Sequence, residues 1–273
     1  MIRSLLYVPA HSERFLAKAH ERGADAIILD LEDSVPENAK DEARQGLAET
    51  VKAVGRNGAS VFVRINSGER RIEDALAACR AGAVSLYVPK VRHADEVAQL
   101  AAALEKTEAD TGRSPMSFVA LLENIGAVLD ARAIAKAPRL LGLSVGGEDL
   151  ALSIGAEPTP DVLRLPKLLV HYAAKEQGLL SFGLLQSTAD YSDQARVEAA
   201  AREAAQHGFD GATCVHPSLV PLLNTAFSPS ASEREWAEKV VKRAAGGEGA
   251  FEVDGRMVDA PVIARARAIL SKS

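Results

Sequence analysis

The chain has 273 residues, of which 47% are hydrophobic, 25% are charged and 4% are aromatic, and its formal net charge is −5. An acidic chain with few aromatic side chains lacks the basic surface and the stacking platforms of nucleic-acid-binding proteins, and it also lacks the charge that draws proteins to anionic membranes. No apolar run approaches the roughly 20 residues that cross a bilayer.

The N-terminal segment is predicted to be a first strand, because its apolar stretch is too short for a signal peptide. The two cysteines, Cys79 and Cys214, lie far apart in small apolar contexts, and they form neither a metal motif nor a disulfide framework. We therefore expect a cytoplasmic protein with two buried free thiols.

Strand-like and helix-like segments alternate along the chain. Apolar runs predict eight strands, at 4–8, 26–31, 60–65, 85–88, 117–122, 141–145, 180–184 and 211–215. Patterned helices are predicted between them, at 12–22, 38–54, 72–81, 94–107, 127–136, 162–177, 192–207 and 219–227. Repeated strand–helix units require parallel strands with right-handed crossovers, and eight units predict an α/β protein, a closed (β/α)8 TIM barrel.

The ends of the predicted helices carry residues that are typical of helix caps. Ser12 and Ser192 are predicted N-caps, and a glycine follows four of the helices where a left-handed residue is favoured. Those glycines are Gly23, Gly82, Gly178 and Gly208. No glycine-rich dinucleotide fingerprint and no P-loop follows any predicted strand, so nucleotide binding of those two kinds is not expected.

The pattern changes after residue 227. A break at Ser228-Pro229-Ser230 precedes a helix at 233–244, a glycine-rich segment with a hairpin at Asp254-Gly255, and a last helix at 262–270. We predict a catalytic barrel domain at 1–227 and a C-terminal helical and hairpin extension at 228–273. The extension is expected to be an appendage without a core of its own.

Two predicted strands end abruptly in carboxylates, Glu123 after strand five and Asp149 after strand six. The C-terminal ends of barrel strands meet at the face that holds the active site, so these side chains are expected to lie close together. Two carboxylates without a histidine suit a hard cation such as Mg²⁺, which keeps positions open for substrate. The alternative is two solvated acids at ordinary strand ends.

Other strand ends add charges of both signs. Arg64 can grip a substrate carboxylate, or it can pair with Glu32 or Asp33, and both roles can hold together. Lys90 is expected to contact a phosphate or carboxylate, because acidic neighbours keep its pKa too high for imine chemistry. His216 is either a general base or a structural group.

At these residues the chain resembles the citrate lyase beta-subunit-like proteins of the HpcH/HpaI aldolase superfamily, which includes malyl-CoA lyases. The resemblance is carried by Asp30-Leu31-Glu32-Asp33-Ser34-Val35 and Gly146-Gly147-Glu148-Asp149-Leu150, and by ordered motifs at 4–10, 40–44, 63–66, 88–91, 208–211, 215–218 and 255–261. It runs almost end to end and implies a (β/α)8 lyase that makes or breaks a carbon–carbon bond beta to a thioester.

The resemblance also implies roles for single residues. Glu123 and Asp149 match Mg²⁺ ligands, with Mn²⁺ as an alternative ion, and Arg64 matches the arginine for the substrate carboxylate. Arg14 and Lys18 match positions used for coenzyme A phosphates, and we add Lys90 to them. Substrate contacts are expected from Glu32, Asp33, Gly147 and Glu148.

Asp259 matches an aspartate that relatives bring to a neighbouring subunit's site on a mobile C-terminal segment, where it donates or removes a proton. That role implies a homotrimer or hexamer. The chain departs from the family around 184–191, and the match is weak at 158–161, so the acyl substrate stays open.

Three alternatives also stay open. They are a citrate lyase beta subunit that acts on an acyl-carrier-protein thioester within a complex, a thioesterase or malate-synthase outcome at the same site, and a non-catalytic partner that kept the fold.

Overall fold

The structure is a computed structural model that describes residues 1–187, 191–247 and 249–271. Eight parallel strands form one sheet in the order β7-β6-β5-β4-β3-β2-β1-β8, and a bridge between Phe182 and Gly211 brings its two edges together. The predicted TIM barrel is therefore confirmed. The strands are β1 (Ser4–Pro9), β2 (Ala26–Asp30), β3 (Ser60–Arg64), β4 (Ser85–Val88), β5 (Ser117–Leu122), β6 (Leu140–Val145), β7 (Leu180–Phe182) and β8 (Ala212–Cys214).

Helices surround the barrel and fill the crossovers. They are α1 (Glu13–Ala19), α2 (Lys40–Gln45), α3 (Leu47–Val54), α4 (Arg71–Ala81), α5 (Ala94–Thr111), α6 (Ile125–Leu129), α7 (Ala131–Ile134), α8 (Gly147–Ser153), α9 (Pro160–Glu176), α10 (Gln194–His207) and α11 (Val220–Ala226).

The helices differ from the prediction in four places. The helix predicted at 38–54 is divided at Gly46, and the one at 127–136 is two short helices that meet at Asp130. Helix α8 was not predicted. The N-cap of α10 is Asp193 rather than Ser192, because the Asp193 carboxylate accepts the Arg196 N–H. The four predicted glycines do adopt positive φ angles, as expected.

The inner face of the barrel is filled by a separate cluster of large side chains, among them Leu5, Ile28, Phe62, Tyr87 and Leu121. Side chains alternate across a strand, so the residue two positions beyond each of these also points inward. This alternation puts the next layer of side chains at the C-terminal mouth, and that layer includes Tyr7, Asp30, Arg64 and Glu123.

A larger cluster fills the space between the sheet and the helices, and both cysteines lie buried in it as free thiols, as predicted. None of the described helices combines the length and apolar character that a membrane crossing requires.

The C-terminal extension consists of α12 (Ala231–Ala244), the hairpin β9 (Phe251–Val253) and β10 (Arg256–Val258), and α13 (Ala260–Ser271). It has a small core of its own, which includes Val240, Phe251 and Val258. The expectation of an appendage without a core is therefore wrong. A capping box at Ser230 and Glu233 begins α12, directly after the break at Ser228-Pro229. The domain boundary after residue 227 stays a prediction.

Candidate active site

A cleft of about 370 Å³ opens at the C-terminal ends of the barrel strands. Residues from β1, β2, β3, β5, β6 and β8, and from the segments between the strands, line it. Its charged lining residues are Asp30, Asp33, Arg64, Glu123, Glu148, Asp149 and Lys167. The structure therefore brings both predicted metal ligands and the predicted anion-binding arginine into one site.

A larger depression of about 700 Å³ lies at the opposite end of the barrel, between α10, α11 and the extension. Two of its three arginines are paired with acids, since Arg3 contacts Asp25 and Arg202 contacts Glu198, and the third, Arg234, donates to the Pro229 carbonyl oxygen. Among the described residues, Glu233 is the single carboxylate in its lining. The smaller cleft is therefore the better candidate for chemistry, because it alone gathers several carboxylates at the catalytic face of a barrel.

Arg64 is held in place by Asp30, a pairing that the sequence did not single out. The two residues are register partners on β3 and β2. Arg64 Nε lies 2.6 Å from Asp30 Oδ1, and Nη2 lies 2.7 Å from Oδ2. Burial disfavours the charged form of Asp30, but the hydrogen bonds from Arg64 outweigh it and keep the pKa of Asp30 below its usual value.

The remaining nitrogen of Arg64 faces the two acids that the sequence proposed as its partners. Nη1 lies 3.0 Å from Asp33 Oδ2 and 3.1 Å from Glu32 Oε2. Asp33 is solvent-exposed, whereas Glu32 is buried. The guanidinium also stacks over Tyr7, 5.0 Å from the ring centre. Both expected acidic partners of Arg64 are therefore in contact with it, and one of them, Asp33, is exposed to water.

Lys90 forms the other ion pair on this side of the cleft. Its Nζ lies 3.0 Å from Glu32 Oε1, although the angles at both Glu32 oxygens fall outside hydrogen-bond geometry. Burial raises the pKa of Glu32, and the Glu32 carboxylate raises the pKa of Lys90. An amine with a raised pKa is a poor imine nucleophile, so the environment of Lys90 agrees with the rejection of that chemistry.

Glu123 is buried at the end of β5. Its Oε2 accepts the backbone N–H of Lys90 at 2.7 Å, and a Cβ on Gly146 would lie only 2.7 Å from Glu123 Cγ, so a larger residue at position 146 would displace the Glu123 side chain. Burial, with the charges of Glu32 and Asp149, raises the pKa of Glu123 to about 8.

Glu123 and Asp149 are the residues that could hold a divalent cation. Neither forms an ion pair within the described residues, and each adds to the negative charge around the other. A buried carboxylate with a raised pKa and an acidic neighbour is stabilised as an anion when a cation binds between them. Protein ligands alone would not complete such a site, because the described residues contain no cluster of three or more metal-ligating side chains. Mg²⁺ commonly binds with one or two carboxylates and fills its other positions with water or substrate.

Gly147, Glu148 and Asp149 form the first turn of α8, directly after β6. Gly147 lines the cleft beside Lys167, whereas the Glu148 side chain is exposed and accepts a hydrogen bond from the Ser187 hydroxyl group. The predicted substrate contacts Gly147 and Glu148 therefore lie on the same side of the cleft as Asp149.

Lys167 is a cleft residue that sequence reasoning missed. It is only 4% exposed, and its Nζ donates to the carbonyl oxygens of Leu184 at 2.9 Å and of Gln186 at 2.7 Å. Burial lowers its pKa to about 8, and Glu148 partly offsets that effect. A signal was present, because Lys167 lies four positions after Leu163 and three before Val170 on the apolar stripe of a predicted helix.

Six of the candidate residues do not line the cleft, namely Arg14, Lys18, Glu32, Lys90, Asp259 and His216. Arg14 and Lys18 are exposed on α1. Asp259 is half-buried at the start of α13, where its Oδ1 accepts the Val262 N–H at 3.4 Å.

His216 makes contacts of the kind expected for a structural group, which was the alternative to a general base. Its ring stacks on Tyr191 with centres 5.2 Å apart, and its Nδ1 lies 2.8 Å from Ser218 Oγ. Of the segment that departs from the family pattern, Thr188, Ala189 and Asp190 lie outside the described residues.

Known proteins match the chain over nearly its whole length. It is 32% identical to the (3S)-malyl-CoA thioesterase of Cereibacter sphaeroides, with 99% of this chain and 94% of that protein aligned. It is 31% identical to the citrate lyase subunit beta of Escherichia coli, over 99% of this chain and 93% of that protein.

A solved structure of protein CitE from Mycobacterium tuberculosis, in complex with magnesium, acetoacetate and coenzyme A, matches with a TM-score of 0.80. It is 30% identical and covers 98% of this chain and 97% of its own. The family model for HpcH/HpaI aldolase/citrate lyase matches residues 3–217, which include every strand of the barrel and the cleft. The chain therefore belongs to the HpcH/HpaI aldolase/citrate lyase family.

Proposed function

We propose that the protein is a Mg²⁺-dependent carbon–carbon lyase that cleaves, or forms, a 3-hydroxyacyl-CoA thioester, with an acyl-CoA and a 2-oxoacid as the products of cleavage. The observation that carries this proposal is the pair Glu123 and Asp149, which lie at the catalytic mouth of the barrel and have no cation partner among the described residues. The magnesium and coenzyme A in the CitE structure support it.

Glu123 and Asp149 would hold the metal ion, with Mn²⁺ as an alternative to Mg²⁺. When bound, the ion supplies Lewis-acid stabilisation of an oxygen that gains negative charge, which is worth several kcal/mol. Burial of Glu123 helps, because a carboxylate that water cannot solvate interacts more strongly with a cation.

Arg64 would bind the substrate carboxylate. Two of its nitrogens stay on Asp30, which fixes the plane of the guanidinium. The third nitrogen, Nη1, is shared with the exposed Asp33, and an exposed ion pair contributes little free energy. A substrate carboxylate can therefore replace Asp33 at Nη1 without disturbing the buried Asp30 and Glu32 contacts.

The coenzyme A portion would lie across exposed cations at the rim. Arg14 and Lys18 on α1, together with Lys90, carry the positive charge that phosphates require. Backbone N–H groups of residues 146–148 would add hydrogen bonds to the thioester oxygen.

Asp259 would supply the proton. It lies on the extension, away from the cleft lining of its own chain, so this role requires a neighbouring subunit in a homotrimer or hexamer. A residue on a segment that closes over the site would keep water away from the enolate.

For Asp259→Asn we expect a loss of turnover of about 10²-fold or more, the usual scale for a positioned acid–base group, with Mg²⁺ binding intact. Exchange of solvent deuterium into acetyl-CoA or propionyl-CoA should be lost in parallel. If turnover falls while deuterium exchange persists, Asp259 has only a structural role.

A thioesterase is the second candidate, because the (3S)-malyl-CoA thioesterase is 32% identical to the chain. A citrate lyase beta subunit, working on an acyl-carrier-protein thioester with partner subunits, has similar support from the Escherichia coli relative.

The test is to incubate the purified chain and Mg²⁺ with malyl-, methylmalyl-, citramalyl- and hydroxymethylglutaryl-CoA while measuring oxoacid and free thiol. A lyase releases oxoacid and an acyl-CoA without free thiol, whereas a thioesterase releases free thiol without oxoacid. Activity on carrier-protein thioesters alone would indicate the citrate lyase subunit. If neither Mg²⁺ nor any CoA ester binds by calorimetry, the non-catalytic alternative replaces all three.

A further inference from the structure

Lys167 combines burial with an incomplete set of partners. An ammonium group carries three N–H donors, and two of them bond to the carbonyls of Leu184 and Gln186. Within the described part of the chain, no third acceptor contacts Nζ and no carboxylate lies within ion-pair distance of it. A buried cation without a counter-ion costs free energy, and such a charge is normally compensated by a partner.

The other cations on the barrel side of the cleft are already paired. Arg64 contacts three carboxylates, and Lys90 contacts Glu32. A divalent ion at Glu123 and Asp149 would leave that pair neutral. An oxoacid that enters the cleft brings at least one further negative charge, and Lys167 is the lining cation that still lacks an anionic partner among the described residues.

Space in front of the amine is kept open by Gly147. A Cβ at that position would lie 3.5 Å from Lys167 Nζ and 3.0 Å from Leu163 Cδ1, so any larger residue would cover the amine. The glycine therefore leaves room beside Nζ for a ligand oxygen, in the space that a larger side chain would fill.

We propose that Lys167 is a substrate-binding residue whose free N–H donates to the carboxylate of the 2-oxoacid, in the cleft that Arg64 also lines. The inference rests on the proposed function, because it takes the ligand to be an oxoacid held near the metal pair. Lys167 also holds the segment after β7 through its two carbonyl contacts, so the same amine positions the cleft wall and binds the ligand.

The experiment measures pyruvate binding by calorimetry with saturating Mg²⁺, in wild type, Lys167→Met and Lys167→Arg. A charge-assisted hydrogen bond contributes enough that Lys167→Met should weaken pyruvate binding about ten- to hundredfold, whereas Lys167→Arg should stay within about threefold of wild type. Lys175→Met, which removes a lysine from the outer face of the same helix α9, is the matched control and should bind pyruvate as wild type does.

Mg²⁺ and acetyl-CoA affinities separate ligand binding from a purely structural role, since neither ligand offers an oxoacid carboxylate to Lys167. Both affinities should be unchanged in Lys167→Met. Equal weakening of Mg²⁺, acetyl-CoA and pyruvate would show that the substitution disturbs the cleft wall, and it would overturn the proposal. Unchanged pyruvate binding in Lys167→Met would overturn it as well. If wild type itself binds neither Mg²⁺ nor pyruvate, the proposed function fails rather than the assignment of Lys167 alone.

Discussion

Charged side chains are paired on one wall of the cleft and unpaired on the other. On the wall from β2 to β4, the lining residues Asp30 and Arg64 and their neighbours Glu32 and Lys90 lie within 2.6 to 3.1 Å of an opposite charge. On the wall from β5 to β7, Glu123, Asp149 and Lys167 have no such partner within the described residues.

The paired charges hold the geometry of the site, and the unpaired charges are available to bind ligands. A buried charge that is paired contributes mainly to geometry, because the desolvation penalty and the attraction nearly cancel. A buried charge that is unpaired stays costly until a ligand of opposite charge arrives. The paired charges therefore fix the orientation of Arg64 and Lys90. The unpaired charges on the other wall are compensated only when the metal and the substrate bind.

The largest effect is expected from the unpaired wall. Glu123→Gln removes one metal ligand and should lower Mg²⁺-dependent turnover about 10³-fold or more, because Lewis-acid catalysis contributes several kcal/mol. The fold should survive, since the variant replaces a costly buried carboxylate with a neutral side chain of the same shape. Turnover and Mg²⁺ affinity measure the loss, and thermal unfolding without metal measures the stability.

Glu105→Gln, on the exposed part of α5, is the matched control with the same change in net charge. It should leave both turnover and Mg²⁺ affinity at the wild-type level. Wild-type Mg²⁺ affinity in Glu123→Gln would remove Glu123 from the ligand set, and the two walls would no longer differ in the way described.

On the paired wall, the effect should appear in stability. Arg64→Met leaves Asp30 and Glu32 as buried carboxylates without their main partner, and breaking a buried pair in this way costs about 3–5 kcal/mol. Urea unfolding without ligands gives the free energy of unfolding. Arg132→Met removes the exposed partner of Glu176 and should change that free energy far less. Equal effects of the two substitutions would show that Asp30 and Glu32 do not become costly buried charges when Arg64 is removed.

The sequence predicted much of this site, because parallel strands and the twofold alternation of side chains leave few choices. Once β2, β3 and β5 are placed in a barrel, Arg64 and Glu123 have to point into its mouth. The pairing of Arg64 with Glu32 and Asp33 was predicted, but its pairing with Asp30 was not, since that depends on the register that places Asp30 beside Arg64. Register follows from the tilt of the whole barrel rather than from either strand alone.

Lys167 was missed for another reason. It comes from a helix, and the barrel rule directs attention to strand ends. A lysine on the apolar stripe of α9 was the available signal, but only the contacts with Leu184 and Gln186 show where its amine ends. The role of Asp259 stays a prediction, because it depends on contacts between subunits that one chain does not contain.

The smallest effect is a pH dependence of metal binding that follows from the raised pKa of Glu123. Its folded value of about 8 means that the metal-free carboxyl is mostly protonated at pH 6 to 7, so a bound cation has to displace a proton. Apparent Mg²⁺ affinity should therefore rise up to about tenfold per pH unit between pH 6 and 8, and should level off above pH 8.

Calorimetry in two buffers of different ionisation enthalpy gives the affinity and the protons released. An affinity that is flat from pH 6 to 8, with no proton release, would show that Glu123 is already ionised and that its charge is compensated without the metal. Asp149→Asn sharpens the measurement, because it removes a negative charge that raises the pKa of Glu123. The pH at which the remaining, weaker affinity levels off should then move downward, as expected if the two carboxylates titrate as a coupled pair.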